Sequence, residues 1–277
     1  MFFNIALKTN INWPTNETAV SWRGRTILLR PATTNYAPDV LLEYDESTMT
    51  ALDAHRFLRE FLSAYVWIAR QRAKAFCAGG GPMALRVGPG PLLQNIATEP
   101  FKLDYLPDWT DERSGLALAL YREALNASAS PHRFLSFWKI LSTKNPDGAR
   151  GPQRDWLIET FKKIIDAEGS KRLDELRGAG NTDEEIAHRL YVSGRCAVAH
   201  AHSDPIVNPD DPTDESTLEK EMPLVRALAE YLIEHEYGIE SESAYLARHG
   251  KAALPANSDS LVRMFWIPNI AEYQATP

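Results

Sequence analysis

The chain is poor in cysteine. It has two in 277 residues, Cys77 and Cys196, each inside an apolar run, with no CxxC pair. Neither a disulfide framework nor a cysteine-rich zinc site is therefore expected, and a reducing, cytoplasmic compartment is the simplest setting. Long hydrophobic runs are also missing: no stretch of about 18 or more apolar residues occurs. The opening MFFNIALKTNINWP lacks the basic start and continuous apolar core of a signal peptide, so no membrane span and no secretion are expected. The sequons Asn16-Glu-Thr and Asn126-Ala-Ser then read as chance matches. Positive charge is in the minority, 30 Lys and Arg against 37 Asp and Glu, for a net charge of −7. No global positive field draws nucleic acid, DNA binding is not expected, and any phosphate binding must be local. The GxxxxGK[ST] and GxGxxG patterns are absent, so Gly79-Gly80-Gly81 reads as turns rather than as a phosphate loop. Ser193-Gly194 lacks the glycine pattern of a nucleophile elbow.

What is present is an ordinary globular composition, 44% hydrophobic and 24% charged. A chain of this length buries a real core in one large or two smaller domains. The pattern predicts an α+β protein: residues 1–99 form a small mixed sheet with a long helix, and residues 100–277 form an all-α bundle with a C-terminal tail. FFNIALKTNI, AVSWRGRTILLRPA with a turn at Arg23-Gly24-Arg25, and PDVLLEYD favour strand. Leu52, Phe57, Phe61, Tyr65 and Ile68 mark an amphipathic helix from Ala51 to about Lys74, and MALRV (83–87) reads as a short strand.

Beyond the boundary the expected helices are 111–127 with Leu116, Leu120 and Ala124 on one side, 131–142, 153–167 with Trp156, Phe161 and Ile165, a short one at 172–177, and 216–237. The aromatic residues of PHRFLSFWKILS stand at helical spacing and are expected in the core. Leu261-Val-Arg-Met-Phe-Trp-Ile is an amphipathic patch that packs back on the body.

The stretch Asn181 to Asp211 concentrates the chemistry. Asn181 or Thr182 can cap a helix whose first turn holds Asp183, Glu184 and Glu185. Ile186, Leu190 and Ala197 continue an apolar stripe, and Pro205 ends the helix. Arg195, His200, His202 and Asp204 then fall within ten residues near a helix end. On a straight helix Arg195 and His200 stand about 140° and about 7.5 Å apart. For the two to meet, either the helix unwinds at Ala199 or two chains pair. His188, seven residues before Arg195, shares its face.

Arg195-x4-His200 at the end of a helix in a bundle resembles the Arg-x(4 to 6)-His motif of the HEPN superfamily. Within that group PHRFLSFWKIL, RLYVSGRCAVAHAHSDPIVNPDD and the long closing helix are similar to the methylamine utilisation protein MauJ family. The superfamily resemblance implies a HEPN-like bundle, a homodimer, and a metal-independent ribonuclease with no cofactor. In that chemistry Arg195 holds the scissile phosphate, His200 takes or gives the proton, and His202 is a second proton carrier.

The MauJ resemblance implies a non-catalytic binding or accessory role in methylamine utilisation. The sequence departs from active relatives at Cys196, where a polar residue is common and a buried thiol is expected here. It departs again in the acidic flank Asp204, Asp210, Asp211, Asp214 and Glu215, which repels a polyanion. In a structural role, Arg195 pairs with a carboxylate and His200 caps the helix. His200-x-His202-x-Asp204 also offers two imidazoles and a carboxylate to zinc or iron, as in a metal-dependent hydrolase. It is like the HxHxDH of metallo-β-lactamases, with Pro205 in place of the last histidine.

Overall fold

The computed structural model describes residues 1–88, 94–99, 101–144, 149–199, 207–208, 211–249 and 261–266. The chain separates into two compact units, Met1–Asp108 with Ser241–Pro277, and Trp109–Glu240. The division falls nine residues beyond the expected boundary (99 to 108), and the C-terminal segment groups with the N-terminal unit rather than with the bundle.

In the first unit, β1 (Phe2–Thr9), β3 (Thr18–Trp22), β4 (Arg25–Arg30), β5 (Asp39–Glu43) and β6 (Ala73–Gly81) form an antiparallel sheet in the order β3-β4-β5-β1-β6. The β3–β4 hairpin turns at Arg23 and Gly24, both at positive φ (47° and 72°), as a two-residue turn matched to strand twist requires. β2 (Asn12–Trp13) pairs in parallel with β7 (Gln94–Glu99). α1 (Ala51–Ala69) starts with a reciprocal capping box between Thr50 and Asp53 and buries Phe61, Leu62, Tyr65 and Trp67. It stops before the expected Lys74 because Arg70 turns left-handed (φ 54°) and the chain enters β6. Leu52, expected on the apolar stripe, is exposed.

β6 corrects the expectation of turns around Gly79-Gly80-Gly81. The glycines continue the strand beside β1, and a Cβ on Gly80 would lie 2.8 Å from a ring carbon of Phe3, which stacks on His55 at 5.1 Å. MALRV is irregular. Its carbonyls at Ala84 and Leu85 accept from Arg30 at 3.1 and 2.9 Å, and Val87 O accepts from the Ala37 N–H. A guanidinium thus satisfies backbone that a sheet edge otherwise satisfies. The same Arg30 grips buried Asp39 through two bonds of 2.6 and 2.9 Å.

The regular elements among the second unit's described residues are all helical: α2 (Glu112–Asn126), α3 (Ser130–Lys144), α4 (Arg150–Phe161), α5 (Ala167–Gly178), α6 (Asp183–Arg189), a π-helical segment Leu190–Cys196, α7 (Ala197–Ala199), and α8 (Pro212–Tyr231) with a π turn at Leu232–Glu236. α3 lies between α2 and α8, and Phe134, Phe137, Trp138 and Leu141 fill the core as their spacing predicts. Two expectations are corrected. The helix read at 153–167 ends at Phe161, leaving Ile165 91% exposed, because Asp166 caps a new helix by accepting from the Gly169 N–H at 2.7 Å. In α2 the buried side runs through Ala117, Leu118, Tyr121 and Ala124, and Leu116 faces solvent.

The chain then returns to the first unit with α9 (Glu242–His249) and β8 (Leu261–Trp266), which pairs antiparallel with β7. The described residues include no helix long and apolar enough to cross a membrane.

Arg30→Ala leaves buried Asp39 facing only the more distant Arg86, whose Nε lies 3.7 Å away, and releases residues 84 and 85. It is expected to cost about 3–5 kcal/mol in urea unfolding, and Arg30→Met with Asp39→Leu is expected to recover part of the loss. Asp111 caps α2 by accepting from the Ser114 N–H and Oγ, which holds its carboxyl below the ordinary range. A depressed folded pKa means the contribution is complete above the unfolded value of about 3.9 and is lost as pH falls through the folded value. Thermal scans of Asp111→Ala are therefore expected to show a lower midpoint at pH 7 and a gap that closes in acid.

Candidate functional site

Thr182 sets the start of the organising helix. Its Oγ1 accepts from the Glu185 N–H (3.2 Å), and the Glu185 carboxylate accepts from the Thr182 N–H (2.8 Å). Asn181, the other candidate cap, instead donates to Leu176 O at 2.8 Å and closes α5. Asp183 in the first turn pairs with Arg177 at 2.8 and 3.0 Å. Ile186, Leu190 and Ala197 are buried, as the stripe predicts.

The expectation of a regular helix through this stretch is corrected at Leu190, where the turns widen to i→i+5 bonding through Cys196. A close contact falls within the same segment at Gly194. A Cβ there would stand 2.3 Å from Phe134 Cζ, so α3 pushes an aromatic ring against bare backbone. Widened turns of this kind are costly, which makes them rare, and they recur at functional sites. They also void the two-turn rule that placed His188 and Arg195 on one face, since that rule needs 3.6 residues per turn.

Arg195 lies in this widened segment. Its guanidinium sits 5.5 Å from the centre of the Tyr191 ring and its Nη1 donates to Cys196 Sγ at 3.6 Å. Cys196, expected to be buried, is half-buried. A second guanidinium, Arg150 at the start of α4, lies 5.0 Å from the same ring, and Trp138 meets it edge-on at 6.0 Å. His200, His202 and Asp204, the residues expected to join Arg195 in catalysis or to bind metal, lie outside the described residues. Among the described residues no group of three or more His, Cys, Asp or Glu is placed to hold a metal ion. Beyond the helix, Val207 N–H donates back to Ala197 O at 3.1 Å.

The acidic flank has work of its own. Asp211 accepts from the Thr213 N–H at the start of α8, Asp214 accepts from the Asn208 N–H, and Glu215 accepts from Ser130 Oγ. Those three carboxylates are engaged in holding the entry to α8 and the start of α3. Asp210 lies outside the described residues.

One charged group escaped the sequence reading. Glu221, 4% exposed, accepts from Arg172 at 2.8 and 3.3 Å and pairs with Arg189 at 2.9 Å. Its bond to Arg172 raises that guanidinium above its ordinary pKa. The signal was a glutamate set between Leu218, Met222 and Val225 on an apolar side, where an unpaired charge is too costly to bury.

Residues 117–234 match the model of the family described as methylamine utilization protein MauJ. The matched segment lies wholly in the helical unit and contains Trp138, Arg150, Tyr191, Arg195 and Glu221. No curated protein and no solved structure matches the chain. Within the matched segment the Phe134 ring lies directly against the Gly194 backbone. Gly194→Ala is expected to destabilise by about 1–3 kcal/mol through overpacking. Phe134→Leu in the same chain should recover part of that loss, read by urea unfolding.

Proposed function

We propose that this is a cytoplasmic, homodimeric accessory protein of methylamine utilisation, acting through its helical unit by binding rather than by catalysis. The observation that carries this reading is the MauJ match over residues 117–234. It is supported by the structural engagement of the surrounding charges: Glu221 with two guanidiniums, and Asp211, Asp214 and Glu215 at helix starts. In its host, deletion of the gene is expected to impair growth with methylamine as sole nitrogen source. A copy carrying His200→Ala should restore growth as well as the wild type does. Unimpaired growth of the deletion strain would sink the reading, and light scattering at the mass of one chain would remove the dimer.

A second reading, a HEPN-type ribonuclease cleaving RNA through Arg195, His200 and His202, is favoured by one feature. Arg195 sits in a helix interrupted by π turns, with a second guanidinium on the same ring. The guanidinium would hold the scissile phosphate and the imidazoles would move protons between the 2′-OH and the leaving 5′-oxygen. End-labelled RNA incubated with the wild type, Arg195→Ala and His200→Ala, with and without EDTA, decides. Cleavage to 2′,3′-cyclic phosphate ends that survives EDTA and vanishes in both variants establishes it, and no cleavage above background removes it. Cleavage abolished by EDTA would instead belong to a metal-dependent hydrolase using His200, His202 and Asp204.

A further inference from the structure

The five-stranded sheet of the first unit has two outer strands, β3 and β6. An outer strand presents a row of N–H and C=O groups with which another strand can pair, and proteins commonly blunt such an edge by shortness, charge or proline. β3 is short, with five residues. β6 runs for nine, Lys74 to Gly80 are all exposed, and Lys74 is its one charged residue. Among the described residues no strand pairs with the outer side of β6. A bulge sets Phe76 between the partners of Ala6 and Leu7, which bends the strand but adds neither charge nor proline.

The order of residues along β6 is self-complementary. Cys77, an exposed thiol, stands at the middle of the strand. Two copies of β6 paired antiparallel about a two-fold axis through Cys77 set Lys74 opposite Gly80, Ala75 opposite Gly79, Phe76 opposite Ala78, and Cys77 opposite its own copy. Each larger side chain then faces a small one or bare backbone, and the single cation faces no like charge. Phe76, 43% exposed in the single chain, loses apolar surface to water when such a pair forms. A two-fold axis uses the same edge on both copies, so neither is left open.

We infer that the outer edge of β6 is an interface for a second copy of this chain, which seats its own β6 antiparallel there and joins the two five-stranded sheets into one. The inference rests on the homodimer of the reading above and gives it a surface. The superfamily resemblance accounts for a dimer that brings two Arg195–His200 motifs together in the helical unit. β6 belongs to the other unit, so the two interfaces are separable by experiment.

The test is light scattering of the full chain over a concentration series, together with cross-linking by a short bifunctional maleimide, whose two double bonds each add one thiol. The wild type is expected at the mass of two chains, cross-linked between them through Cys77. Cys77→Ser should keep that mass and lose the cross-link, and Cys196→Ser should keep both. Cys77→Glu sets two carboxylates face to face on the axis, which should raise the dimer Kd about tenfold or more. Added salt should restore part of that loss. A mass of four chains that falls to two in Cys77→Glu supports the edge as well, with a further interface elsewhere. A wild type at the mass of one chain removes this interface and the homodimer together, and leaves the edge to a strand from another protein. A dimer that ignores Cys77→Glu and is not joined through Cys77 overturns the β6 interface alone and leaves the homodimer standing. Should Cys77→Glu fail to fold, the cross-link and its loss in Cys77→Ser carry the same test.

Discussion

The arrangement of the helical unit depends on one close approach, the Phe134 ring of α3 against the backbone of Gly194. Phe134 is fully buried and stacks on Trp138, so it cannot withdraw without opening the core. The facing chain therefore yields. It has no Cβ at the point of contact and loosens its turns from Leu190 to Cys196. Other contacts gather in and around the same segment. Tyr191 is placed against the edge of Trp138, Arg195 lies over Tyr191, and Arg150 reaches the same ring from α4.

A second constraint acts on charge. The unit is acidic in sequence, yet its best buried carboxylate, Glu221, is held by two arginines, and the carboxylates before α8 serve as hydrogen-bond acceptors for helix starts. Arg150 and Arg195 both approach the ring of Tyr191, in a protein whose overall charge is negative. The first unit uses the same device for a structural end, since Arg30 neutralises buried Asp39 and spends its remaining donors on the carbonyls of Ala84 and Leu85.

The family match and the geometry bear on different questions. The match over residues 117–234 is to a family described as methylamine utilization protein MauJ, while the contacts around Tyr191 concern the packing and charge of the helical unit.

Strands 2–9, 18–22, 25–30 and 39–43, the aromatic core of α3 and the capped start at Thr182 were all legible in the amino-acid order. Each rests on local physics: alternation, helical spacing, a side-chain cap. The glycine strand 73–81, the loss of MALRV as a strand, the break at Asp166, the burial of Glu221 and the π segment were not. Glycines read as turns until Phe3 is seen lying over Gly80, and a helical stripe reads as regular until Phe134 is seen against Gly194. Local spacing by itself determined which residues prefer helix or strand and which face is apolar. Only the tertiary structure decided where those elements give way, because the deciding contacts join residues as far apart as 134 and 194, or 172 and 221, and no periodicity within one segment records them.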